Sequence, residues 1–164
     1  MFGFGKTKMD AQTLCRDQWI KISSEERKSI WRHFVENSND DELKNFEFEE
    51  FCLIMIVAYA QFNQVAAIIA NGMNSDPVFE YHLFMGQNVD GLGGKVKEYS
   101  KILNQTWGAS PYYEGKMYDM AVAVENCIGH NLEESTKMQL ANEFDQLLAS
   151  MVGVFKSIKI ISSY

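Results

Sequence analysis

The chain has 164 residues and 46% apolar side chains, enough to bury a core without help from metals or disulfides. A formal charge of -7 and a pI near 5.0 exclude a phosphate backbone or an anionic lipid surface as the main partner, because those need clustered Lys and Arg. Three cysteines, Cys15, Cys52 and Cys127, are widely spaced and odd in number. They form neither a disulfide framework nor a CxxC pair, which points to a reducing compartment.

The opening residues, MFGFGKTKMD, lack the basic region and apolar run of a secretory signal, and the protein reads as cytoplasmic. Residues 1–9 are expected to be flexible. Gly5, Lys6 and Thr7 imitate the end of a phosphate-binding loop, but the glycine five residues earlier and the strand leading in are both missing. Asp10 is placed to cap a first helix. Ser23 and Glu26 have capping-box spacing for a second, whose apolar face is Ile30, Trp31, Phe34 and Val35.

Charge divides sharply at this point. The first 35 residues carry seven cations, Lys6, Lys8, Arg16, Lys21, Arg27, Lys28 and Arg32, against Asp10, Asp17, Glu25 and Glu26. Residues 36–50 carry Glu36, Asp40, Asp41, Glu42, Glu47, Glu49 and Glu50 against Lys44 alone, seven carboxylates to one cation and a net -6. The two regions are complementary and available to pair within the fold.

From Phe51 to Ser75 no residue is charged, and the run is long enough for the roughly 20 residues of a membrane helix. Against a span, Gln61, Asn63 and Gln64 would sit near the bilayer midplane, and carboxylates rather than basic residues precede the run. The pattern therefore predicts a central apolar helix over about 47–72, enclosed by other helices.

Pro77 after Asp76 and Pro111 after Ser110 read as helix starts, and the glycines at 91, 93 and 94 as a turn. Val96, Tyr99, Leu103 and Trp107 form one helical face; Tyr113, Met117, Met120, Val124 and Cys127 form another. Trp107, Tyr112, Tyr113 and Tyr118 gather around the turn at 108–111. Asn131 and Glu134 have capping-box spacing, and the short link from Gly129 to Leu132 makes its two helices antiparallel neighbours. Leu140, Phe144, Leu147, Met151, Val154, Ile158 and Ile161 then predict a long last helix over about 132–161, with Gly153 a place for a close helix crossing.

No metal or catalytic constellation emerges. His33 with Glu36, and Glu80 with His82, fall short of a ligand set, and no HExxH or Glu-x-x-His pair is present. The cysteines lie in apolar helical patterns where thiols are inert, and His130 beside Cys127 is explained by a favourable helix end. No cofactor, metal or nucleic acid is expected.

The fold predicted is all-α: one domain over 1–164, a bundle of six or seven helices around the central helix. The leading functional expectation is a non-enzymatic protein-interaction module, acidic in the manner of inhibitor or immunity proteins. It steers a basic partner onto Asp40, Asp41, Glu42, Glu47, Glu49 and Glu50. Two readings stay open beside it. One is a small-molecule-binding bundle or enzyme with a pocket near Gln61, Asn63 and Gln64, roofed by Trp107, Tyr112 and Tyr113. The other is membrane association through residues 51–70. The last helix also offers a seam for homo-oligomers.

Overall fold

Asp10 starts the helical part of the chain: its Oδ1 accepts the Thr13 N–H at 2.8 Å and opens α1 (Ala11–Ile22). The computed structural model describes residues 5–71, 93–107 and 117–161. Among them are seven helices: α1, α2 (Glu25–Asn37), α3 (Asp41–Asn45), α4 (Phe48–Asn71), α5 (Gly93–Trp107), α6 (Met117–Ile128) and α7 (Glu134–Ser157). The helix starts expected at Asp76 and Ser110 lie outside the described residues.

Two helix starts are displaced by a residue or more from the sequence reading. Ser24, not Ser23, caps α2 through the Arg27 N–H, while Ser23 closes α1 by donating its hydroxyl to the Trp19 carbonyl at 2.7 Å. At α7 the boundary residue is Glu133, without a side-chain cap, and Asn131 takes no part. Gly129 ends α6 at φ 80, a left-handed conformation that suits glycine, and turns the chain toward α7.

The central helix is the core. Every residue from Phe51 to Asn63 is buried, so this stretch of α4 is covered on all sides, and the helix packs against α7, α5, α6, α1 and α2. Four aromatic rings join it to its neighbours. Trp31 of α2 meets Tyr59 edge-on with centroids 5.4 Å apart, and Phe144 of α7 meets Tyr59 at 6.3 Å and Phe62 at 5.1 Å. Each such ring contributes about 1.5–3 kcal/mol by leaving water, and each favourable pair about 0.5–1.5 kcal/mol more. Tyr59 also satisfies its hydroxyl, accepting from Trp31 Nε1 at 3.3 Å and donating to Glu143 at 2.6 Å. Among the described residues no helix is long and apolar enough to cross a membrane, and the apolar stretch from Phe51 to Asn63 is buried within the protein.

The C-terminal end corrects two expectations. α7 stops at Ser157, whose hydroxyl bonds back to the Val154 carbonyl at 2.6 Å, and Ile158–Ile161 forms a strand, β2. It pairs in parallel with β1 (Thr7–Asp10), Thr7 opposite Ile158 and Asp10 opposite Ile161. Three β-branched residues in four favour extended backbone over another helical turn, and they recruit Thr7–Met9 into a ladder instead of a flexible tail. The helical seam holds through Leu140, Phe144 and Met151, but Val154 is exposed, and an added Cβ at Gly153 meets open space. Gly153 marks no helix crossing.

Candidate functional site

The acidic segment folds as the end of α2, a link, the single-turn helix α3, and the start of α4. α3 is held down by Leu43, which is 1% exposed. Its cap is Asp40, whose Oδ1 accepts the Leu43 N–H at 3.2 Å and whose Oδ2 accepts the Glu133 N–H at 2.6 Å. One buried carboxylate thus ties α3 to the start of α7. Ser38 strengthens the junction, accepting the Asp40 N–H at 3.0 Å and lying 3.4 Å from the Thr136 hydroxyl.

The six predicted carboxylates therefore divide. Asp40, 2% exposed, is buried as a structural clamp, a correction to its placement on the surface. Glu50 is turned toward α5, where it accepts from the Tyr99 hydroxyl and from Lys95 Nζ at 2.9 Å. Those two bonds, the tyrosine's first, hold its carboxyl below the ordinary range. Glu49 is exposed but shares Lys28 with Glu25, at 3.8 and 3.7 Å. Among the described residues Lys28–Glu49 is the one ion pair joining the basic first 35 residues to the acidic segment, so the two charged regions remain largely separate.

Asp41, Glu42 and Glu47 remain exposed, and among the described residues no Lys or Arg pairs with them. Glu42 has only His130, at 3.6 Å. Folding adds carboxylates that sequence spacing hid. The Asp40–Glu133 bond sets Glu133 and Glu134 of the α7 start beside α3, and both are exposed. Glu134 is shared with Lys137 at 3.4 Å; Glu133 has no ion-pair partner among the described residues. Glu36 at the end of α2 is exposed as well, and the Asp40–Glu133 bond brings together carboxylates from two stretches about 90 residues apart. The buried polar pair Ser38 and Thr136 is the signal that marks the junction, but neither residue type singles itself out in a sequence.

The residues of the second reading are only partly assembled. Gln61 and Asn63 are buried; Gln61 donates to the Ser100 carbonyl at 3.3 Å and Asn63 to the Tyr59 carbonyl at 3.2 Å. Among the described residues their amide oxygens, and that of Asn104 on α5, have no hydrogen-bond partner. Orphaned acceptors of this kind cost about 1–3 kcal/mol each. The side chains of Gln64 and Trp107, and the whole of Tyr112 and Tyr113, lie outside the described residues.

The two described thiols, Cys52 and Cys127, are subdued. Burial pushes Cys52 up to about 11 and Cys127 up to about 12, well above the range of reactive cysteines. Among the described residues no group of three or more His, Cys, Asp or Glu is placed to hold a metal ion. Compared with protein-family models, with curated proteins and with solved structures, the chain matches none.

Proposed function

We propose that the protein is a non-enzymatic interaction module that receives the basic surface of a partner protein on the ledge of Asp41, Glu42, Glu47 and Glu133. The observation that carries this reading is the split among the carboxylates. Those that serve the fold are buried or paired, as Asp40 and Glu50 are, whereas these four are exposed and, among the described residues, without Lys or Arg partners; three of them, Asp41, Glu42 and Glu133, stand on α3 and the α7 start, which Asp40 clamps together. Like charges so gathered raise the local potential and favour encounter with a cationic surface, an effect worth about 10 to 1,000-fold in association rate at low salt. The clamp keeps the ledge rigid, so little ordering is needed on binding.

The test uses two baits against extract of the native host: the parent, and a variant with Asp41→Asn, Glu42→Gln, Glu47→Gln and Glu133→Gln. The expected result is a protein of high pI retained by the parent and lost from the variant. Partners retained equally by both baits would remove the ledge from the function.

A further inference from the structure

The turn between α1 and α2 stands beside the C-terminal half of α7, and two partly open cavities lie along that junction. The inner one, about 220 Å³, is bordered by Gln18, Lys21, Arg27, Leu147, Met151 and Val154 among others. The outer one, about 370 Å³, is bordered by Ile20, Lys21, Ser24, Glu26, Arg27 and Ile30. Lys21 and Arg27 border both, so the two adjoin as one groove with its cations in the middle.

Apolar and cationic side chains meet in this groove. Six large hydrophobic side chains are exposed among the described residues, and three of them, Ile20 at 60%, Ile30 at 48% and Val154 at 43%, border it. Single exposed apolar residues need no explanation, but half of them along one groove do. Lys21 and Arg27, like most cations among the described residues, have no carboxylate within ion-pair distance, and here the two stand together where both cavities meet. Arg27 lies over the Tyr59 ring at 5.7 Å, which orients the guanidinium. Glu26 borders only the outer cavity, so the inner one presents cations and apolar surface without an opposing carboxylate.

We infer that this groove seats an acidic amphipathic helix of a partner protein. Carboxylates at the centre of that helix meet Lys21 and Arg27. Its apolar face packs on Leu147, Met151 and Val154 to one side and on Ile20 and Ile30 to the other, in the helix-in-groove mode. A second copy of this chain fits poorly, because its acidic helix α3 has its only leucine, Leu43, buried. The groove is also separate from the acidic ledge: from Thr136 to Leu147–Val154 is about 16 to 27 Å along α7 at about 1.5 Å per residue. The molecule therefore carries an acidic site and a basic apolar site at different places on α7.

The test measures fluorescence anisotropy with a labelled synthetic helix of about 18 residues, Leu at i, i+3, i+4 and i+7 and Glu at its centre. Controls are a scrambled peptide, a Lys-for-Glu peptide and unlabelled dodecanoate. The Glu peptide is expected to bind the parent saturably. Lys21→Glu with Arg27→Glu, or Ile30→Ser with Val154→Ser, weakens it about tenfold or more, and so do the scrambled and Lys peptides. The ledge variant binds it like the parent. All four substituted groups are exposed or half-buried, and the peptide controls use the parent protein, so the result survives a variant that misfolds. Equal binding of the scrambled peptide, or indifference to both groove variants, would overturn the inference. Displacement of the peptide by dodecanoate at low micromolar concentration would overturn it in favour of an anionic amphiphile.

Discussion

Asp40 is the residue whose substitution most sharply separates structure from function in the acidic segment. Its two oxygens receive backbone N–H groups from Leu43 and Glu133, at 3.2 and 2.6 Å, and the side chain is 2% exposed. Asp40→Ala removes a helix cap, typically about 1 kcal/mol, and also a charge-assisted bond across the α3–α7 junction, about 1.5–3 kcal/mol. The sum, about 2.5 to 4 kcal/mol, corresponds to a fall in Tm of roughly 5 to 16 °C for a domain of this size. Asp40→Asn keeps the cap and one acceptor, but sets an amide against the Glu133 N–H, and should lose about 1.5 to 3 kcal/mol. Asp41→Asn, one residue along and exposed, should stay within about 0.5 kcal/mol of the parent. Thermal melts followed by far-UV circular dichroism compare the three. An Asp40→Ala protein that melts with Asp41→Asn would refute the clamp and return Asp40 to the surface.

Further substitutions have opposed signs. Gly129→Ala, at φ 80, should destabilise by about 1–2 kcal/mol from backbone strain alone, since the added methyl meets open space. Gly153→Ala, mid-helix with open space around it, should instead stabilise by about 0.5–1 kcal/mol, and the two urea midpoints should move in opposite directions. Tyr59→Phe strips the hydroxyl that joins Trp31 to Glu143 and should cost about 1–3 kcal/mol, measured the same way. In a Cys15→Ser background, Cys52 and Cys127 should react slowly with a disulfide reagent at pH 8 while the protein is folded, and at once in denaturant. Both thiols ionise at higher pH folded than unfolded, so the unfolded state loses its protons first. Stability should therefore fall as pH rises from about 9 through about 11 and 12, and a melting temperature flat over that window would contradict the burial of both thiols.

The helical architecture was legible because three-four periodicity and the uncharged run from Phe51 to Ser75 leave few arrangements other than a helix wrapped by helices. Leu103, Val124, Leu140 and Phe144 lie in the core where that periodicity places them. Periodicity gives a face but not the presence of a neighbour to cover it, which is why Ile30 and Val154, both read as core, border an open groove. The change from α7 to β2 depends on pairing between residues about 150 positions apart, and a local apolar seam carries no trace of it. Within the acidic segment, composition located the charge. Which carboxylates face solvent depends on the packing of α3 on the α7 start, a long-range contact that makes Asp40 a cap and brings in Glu133.

The most direct test of the account is the salt dependence of association between the captured partner and two proteins, the parent and the variant Asp41→Asn, Glu42→Gln, Glu47→Gln, Glu133→Gln. Electrostatic steering acts on the encounter, so the parent's association rate should fall steeply between low and physiological salt. The variant should associate about tenfold or more slowly at low salt, with a nearly flat dependence and a dissociation rate close to the parent's. Equal association rates for the two proteins at both salt concentrations would contradict the account.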